Sequence, residues 1–327
     1  MSAKYLFVFL LLPFMACKQN TKTTVPDTSV EIQAPDFNAD SAYHYTDTQV
    51  QFGPRVPNTS NHKECGDYLA EKLKQFGAKV TEQEATLRLQ DNTPLKIRNI
   101  IGTFYPENIN RVLLFAHWDT RPYADRDPNP DNWNKPIDGA NDGAGACGAL
   151  LEIARQINMQ QPTVGVDIIF FDAEDWGAPE FPVEHKHYGD WCMGSDYWSK
   201  NPHVPGYKAR FGILLDMVSA PDAQFYKDAA SVYYAKPWVE KVWKAAHVAG
   251  YNNFFLDKSN DSMIMDDHIP VNQSRKIPSL NIVDYSPDNE HGFGDYWHTM
   301  EDNMNNVSKQ TLKAVGQTVL HVLYNEK

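Results

Sequence analysis

The 327-residue sequence predicts an α/β domain built on a central, mixed but mostly parallel twisted sheet with helices on both faces. Three observations predict it. Short, continuous apolar runs at 166–171, 211–215 and 279–283, bounded by turn residues, read as strands buried on both faces. Amphipathic stretches with helical spacing alternate with such runs, the order that gives a sheet sandwiched by helices. No internal repeat or low-complexity run divides residues 37–327, and one hydrophobic core can grow to roughly 250–300 residues before splitting.

Taken in order, residues 61–76 carry apolar residues at helical spacing (Tyr68, Leu69, Leu73, Phe76), and Gly77 closes the helix. Strand-like runs follow at 79–89, 98–104 and 111–116. Asp142 opens a stretch of small residues, 143–148, that continues into the apolar face Leu150, Leu151, Ala154 and Ile157. A helix start so free of bulk lets the backbone approach something closely. Between the last two buried strands, residues 237–249 read as an amphipathic helix with Pro237 in its first turn, where the missing N–H costs nothing. Residues 308–323 form the closing helix, capped by Ser308.

The start of the chain reads as an address. Lys4 precedes an almost wholly apolar run at 5–14, and Ala16 precedes Cys17. The run is too short for a membrane-spanning helix, which takes roughly 20 residues. A signal peptide over 1–16 is expected, with Cys17 as the lipidated first residue of the mature chain. Residues 17–36 form a polar tether without the apolar residues needed to offset ordering. The expected location is outside the cytoplasm, anchored to a membrane and facing the periplasm or cell surface. A formal charge of −12 argues against nucleic-acid binding. Of the 4 cysteines, Cys65, Cys147 and Cys192 remain beyond Cys17, too few for a disulfide scaffold.

One regularity points to a site. His117 and Asp119, then Asp172, Glu174 and Asp175, then Asp216, then Asp284, each follow on a buried strand run. In open α/β sheets ligands bind beyond the carboxyl ends of the strands. Distant stretches should therefore converge on one acidic pocket containing histidine. His117, Asp142, Asp175, Asp216 and His298 are the candidate zinc ligands, because imidazole nitrogen and carboxylate oxygen suit that metal and three protein donors leave a position open for chemistry. Glu174 beside Asp175 allows one carboxylate to hold metal and the other to move a proton. Burial and a like-charged neighbour suit such a group to work near neutral pH.

The residues 117–122 (His-Trp-Asp-Thr-Arg-Pro), 139–143 (Gly-Ala-Asn-Asp-Gly), 171–175 (Phe-Asp-Ala-Glu-Asp), 214–216 (Leu-Leu-Asp), 266–270 (Asp-Asp-His-Ile-Pro) and 297–303 (Trp-His-Thr-Met-Glu-Asp-Asn) resemble, in order, the glutaminyl cyclases of the zinc-aminopeptidase clan. The resemblance runs from about Gly53 to the C-terminus. It implies one zinc per chain held by Asp142, Asp175 and His298, Glu174 as acid and base, and Asp216 and Asp266 in a supporting catalytic network. It also implies that Trp176 or Trp191, with Trp297, binds the substrate. The implied activity is closure of the N-terminal glutamine of peptides or proteins into pyroglutamate with loss of ammonia. Separately, the chain is expected to act as a monomer.

Three departures stand out. Asp175 occupies a place where animal cyclases carry Glu. Ala116 replaces the cysteine that would pair with Cys147, which makes Cys147 a buried free thiol. An insertion brings His185 and His187, which read as a solvated loop rather than a metal site, since alternate loop residues rarely share a face. Two rivals keep their place: a two-zinc aminopeptidase using His117 and Asp216 for a second metal, and a peptide-binding lipoprotein without turnover.

Overall fold

The computed structural model describes residues 1–2, 33–182, 189–289 and 291–327. Cys17, the signal segment, most of the tether, and His185 and His187 lie outside the described residues. Ile32–Lys327 form one compact unit. No helix among the described residues is long and apolar enough to cross a membrane.

Helix α1 (Ala39–Gln51) is followed by α2 (Ser60–Gln75), whose first turn is capped by the Thr59 hydroxyl accepting from His62 N–H. Strands β1 (Lys79–Arg88), β2 (Pro94–Phe104) and β3 (Arg111–His117) lead to helix α3 (Ala146–Met159) and strand β4 (Gly165–Phe171). Then come α4 (Met193–Lys200), β5 (Phe211–Asp216), β6 (Phe225–Lys227), α5 (Ala229–Val248) and β7 (Phe255–Ser259). A single turn α6 (His268–Pro270), strand β8 (Ser279–Val283) and helix α7 (Lys309–Tyr324) complete the chain.

The main sheet has 6 strands in the order β1-β2-β4-β3-β5-β8. β4, β3, β5 and β8 pair in parallel, and β1 and β2 add antiparallel at one side. Side chains alternate across the strands as the pleat requires. Val112, Leu114 and Ala116 of β3 join the large core beneath α1, α2, α3, α5 and α7. Leu113 and Phe115 face the smaller core completed by Trp198 of α4 and Val271. Both faces are therefore covered, which accounts for the unbroken apolar runs of β3, β4 and β5.

The described thiols Cys65, Cys147 and Cys192 are all free and buried, so Cys147 has no disulfide. The small-residue stretch before α3 does bring backbones together. A Cβ on Gly143 would stand 3.0 Å from the backbone carbonyl oxygen of Asp119, and one on Gly145 would stand 3.2 Å from that of Ala140 and 2.2 Å from Ser219 Oγ.

Two sequence expectations need correction. Helix α5 starts at Ala229 behind the Asp228 cap, so Pro237 is not in its first turn. The helix kinks at Ala235 (φ −139°), and the bend accommodates the proline ring inside it. Helices α1 and α4 and the small parallel pair β6–β7 were not expected. Ala, Tyr, Thr and Gln supply the buried side of α1, a stripe too polar to register as apolar periodicity.

Candidate metal centre and catalytic pocket

The pocket lies beyond the carboxyl ends of the parallel strands. Asp142, Glu174, Asp175, Trp191, Asp216, Met217, Ile264, Met265, Asp266, Phe293, Trp297 and His298 enclose a cavity of about 150 Å³. Several of its supports adopt backbone that L-residues rarely take. Ala173 (φ 53°), Cys192 (φ 58°), Met217 (φ 49°) and His298 (φ 56°) are all left-handed. Such strain persists where the surroundings over-determine it, and it gathers at functional sites.

Each acidic loop is fixed by its backbone. Asp302 accepts N–H bonds from Asn141 (2.7 Å) and Asp142 (3.1 Å), and Asn141 in turn accepts from Ser219. Asp119 accepts from the N–H groups of Glu174 (3.1 Å) and Asp175 (3.2 Å). Thus Asp119 orients the turn from behind rather than facing the cavity. Asp172 and Asp284 are likewise structural. Asp172 binds His62 at 2.9 Å and the N–H of Arg98, and Asp284 accepts from Tyr296 and the N–H of Gln224.

Donor atoms of Asp142, Asp175 and His298 lie within 4.8 Å of one another. His298 Nε2 is 3.3 Å from Asp175 Oδ1 and 3.8 Å from Asp142 Oδ2. Both Asp175 oxygens are buried with no hydrogen-bond partner. Orphaned buried carboxylate oxygens are costly unless something neutralises them. Zinc bonds of about 2.0–2.2 Å at tetrahedral angles set donors roughly 3.3–3.6 Å apart; the His298–Asp175 distance meets that range and the His298–Asp142 distance passes it slightly, so the donor types and their convergence suit the metal. On its far side, His298 Nδ1 meets Asp125 at 3.2 Å, and Arg121 holds Asp125 in turn at 2.6 Å. A carboxylate behind a metal-binding imidazole fixes its tautomer and orientation. The sequence reading missed Asp125, although its spacing four residues after Arg121 is visible there.

A second cluster shares Asp142. His117 Nε2 lies 2.9 Å from Asp142 Oδ1 and 3.2 Å from Asp216 Oδ1, at ion-pair distance but without an aligned hydrogen bond. The five candidates, four from strand ends and the helix start and His298 from the turn between β8 and α7, thus do converge on one place.

The electrostatics follow from burial among like charges. Burial, then the neighbouring Asp266, pushes the Glu174 carboxyl well above its ordinary value. Burial, then Asp216, does the same to Asp266. Asp175 is pushed up to about 6, again by burial first. For His298 burial works downward but is outweighed by Asp175 and Asp125, leaving it at about 9. In His117, too, burial is outweighed, by Asp119, Asp142 and Asp216, so its pKa rises.

Of the tryptophans, Trp297 stacks on the His298 ring at 3.9 Å and Trp191 lies parallel to it at 6.1 Å. Trp191 is also pinned by the Arg121 guanidinium, 4.6 Å from its ring. Trp176 packs instead with Leu89, Leu95 and Ile97, away from the cavity, so of the two alternatives Trp191 is the one that lines it. Ile264, Met265 and Phe293 complete the apolar wall, and no sequence pattern marked them.

Peptidase family M28 matches residues 99–323, more than half of the chain. The chain belongs to this family. A glutaminyl cyclase from Tannerella forsythia is 57% identical with a TM-score of 0.86, covering 90% of this chain and 100% of that one. A Zn-dependent exopeptidase from Parabacteroides distasonis is 56% identical with a TM-score of 0.87 over the same shares. The Bacillus subtilis aminopeptidase YwaD is 26% identical across 83% of this chain, which spans 54% of that protein's length.

Proposed function

We propose that this M28 member cyclises the N-terminal glutamine of peptides or proteins to pyroglutamate, releasing ammonia, with one zinc at Asp142, Asp175 and His298. The observation that carries this reading is the small aromatic cavity into which Glu174 and the Asp142–Asp175–His298 trio all face, walled by Trp191, Phe293 and Trp297. The similarity to the Tannerella glutaminyl cyclase supports the same reading.

Cyclisation demands little beyond folding the substrate on itself. The peptide's own α-amine is the nucleophile and its γ-amide carbon the target, so proximity is intramolecular and the pocket must hold a near-attack pose. A cavity of about 150 Å³ walled by Trp191, Phe293 and Trp297 suits one folded side chain. Zinc bound at the trio supplies a Lewis acid for the γ-carbonyl. Glu174 lines the same cavity and is pushed upward in pKa, so it can take the proton that the amine loses as the C–N bond forms. It then returns that proton to the departing nitrogen, which leaves as ammonia. Asp266, beside Glu174, is placed to share the proton between the two events.

A second reading, a two-zinc aminopeptidase, is favoured by the His117–Asp142–Asp216 cluster and by the exopeptidase likeness. One experiment separates them. A glutamine-initiated peptide incubated in heavy-oxygen water should lose one ammonia, keep every residue and gain no label, and a leucine-initiated peptide should stay intact. Labelled free glutamine, or trimming of the leucine peptide at a comparable rate, would overturn the cyclase reading.

The N-terminal segment supports a further part of the proposal: lipidation at Cys17, with the catalytic unit held at a membrane by the tether. A chain carrying Cys17→Ser should leave the membrane fraction, since a lost acyl anchor removes most of the binding energy. Undiminished membrane partitioning would place the anchor elsewhere.

A further inference from the structure

Glu174 needs a fixed orientation if it is to reach first one nitrogen of the substrate and then another. Among the described residues its carboxylate has one hydrogen-bond donor, the thiol of Cys192, whose Sγ lies 3.4 Å from Glu174 Oε1. Cys192 is 2% exposed and does not line the cavity, so it sits behind Glu174 rather than against substrate. Burial, followed by the charge of Glu174, raises its thiol well above the ordinary value. The sulfur therefore keeps its proton and has it to donate toward the carboxylate.

The backbone around this contact is fastened separately from the side chain. Cys192 N–H donates to the Glu174 carbonyl at 2.9 Å, and Met193 N–H donates to the Ala173 carbonyl at 3.0 Å. The Cys192 carbonyl accepts from Ser195 Oγ (3.1 Å) and Asp196 N–H (3.0 Å). The left-handed turn at Cys192 (φ 58°, ψ 34°) is what brings one residue's N–H and side chain to the two ends of Glu174. Trp191, immediately before it, is meanwhile delivered to the pocket wall.

We propose that Cys192 is a positioning residue for catalysis, its thiol holding the Glu174 carboxylate in the orientation that proton transfer requires. The inference rests on the cyclase reading of the site. A thiol is a weak donor, and it suits a base that must be oriented without being neutralised. A hydroxyl at the same place keeps a donor, whereas a methyl group removes it.

The test compares Cys192→Ser and Cys192→Ala in the full-length zinc-loaded protein, measuring kcat and KM for ammonia release, zinc content and thermal midpoint. Cys192→Ser should keep kcat within about threefold, and Cys192→Ala should lower it about tenfold with KM, zinc and midpoint held, the scale of one lost hydrogen bond to a charged group. In a Glu174→Gln background, Cys192→Ala should cause no further loss, because the contact it removes would no longer orient a base. Unchanged kcat in Cys192→Ala, equal losses in the two variants, or the same loss in the Glu174→Gln background would overturn the inference while leaving the cyclase reading in place. A parent protein that releases no ammonia from glutamine peptides would overturn both.

Discussion

Replacing one oxygen of Glu174 by nitrogen separates proton transfer from metal binding. Glu174→Gln keeps the shape of the side chain and leaves the proposed zinc ligands Asp142, Asp175 and His298 untouched, so zinc content should stay at the parent level while kcat falls roughly 10²- to 10⁴-fold. A variant with near-normal turnover would remove Glu174 from the chemistry. Asp142, Asp175 and Asp216 were legible in the sequence because each sits where a buried strand ends or a helix begins, whereas His298, in a turn between β8 and α7, was marked only by the resemblance around Trp297. Their supports were not. Asp125 reaches His298 across 173 positions of sequence, and nothing local in the chain indicates which of its 42 acids stands behind which histidine. The choice between Trp176 and Trp191 was equally hidden, because it depends on which of the two packs with the distant Leu89, Leu95 and Ile97.

At the level of elements, the strands buried on both faces and the capped helices announce themselves, since an uninterrupted apolar run or a period of 3.6 is a local signal. Helix α4 does not: it has only 8 residues, and a left-handed cysteine starts it without a side-chain cap. Its position is set by contact instead. A Cβ on Gly194 would lie 2.2 Å from the Asp172 carbonyl oxygen and 2.8 Å from Asp172 N, both backbone atoms that cannot swing aside. Gly194→Ala should therefore push α4 off the β4 end, costing about 1–3 kcal/mol of stability. Because Cys192 and Trp191 precede α4 directly, kcat should fall as well. Denaturant unfolding and turnover measured on the same preparation check both, and parent-like values in each would show that the close approach carries no constraint.

Across the whole molecule, the acids proposed to hold the metal are a liability without it, and the cost has a definite pH dependence. In the metal-free fold burial pushes Asp175 up to about 6 from an ordinary 3.8. A raised pKa means that the folded state holds a proton which the unfolded chain has released. The stability from this group is whole below about pH 4 and drains away as pH climbs through 6. His298 adds a loss in the same direction, from its ordinary 6.5 to about 9, since it keeps in the fold a proton that the unfolded chain gives up. Buried His268 runs the other way: burial lowers it to about 3, so stability is lost as pH falls below 6.5. His268 is not one of the donor trio, so its contribution is shared by the loaded and metal-free proteins and cancels in their difference. Zinc binding itself strengthens as the ligands lose their protons. The gap in thermal midpoint between zinc-loaded and chelator-treated protein should therefore widen steadily from pH 5 to pH 8. About one equivalent of added zinc should close it. A gap that stays constant or narrows with rising pH would show that Asp175 and His298 do not face the metal, and a requirement for two equivalents would place a second ion at His117 and Asp216.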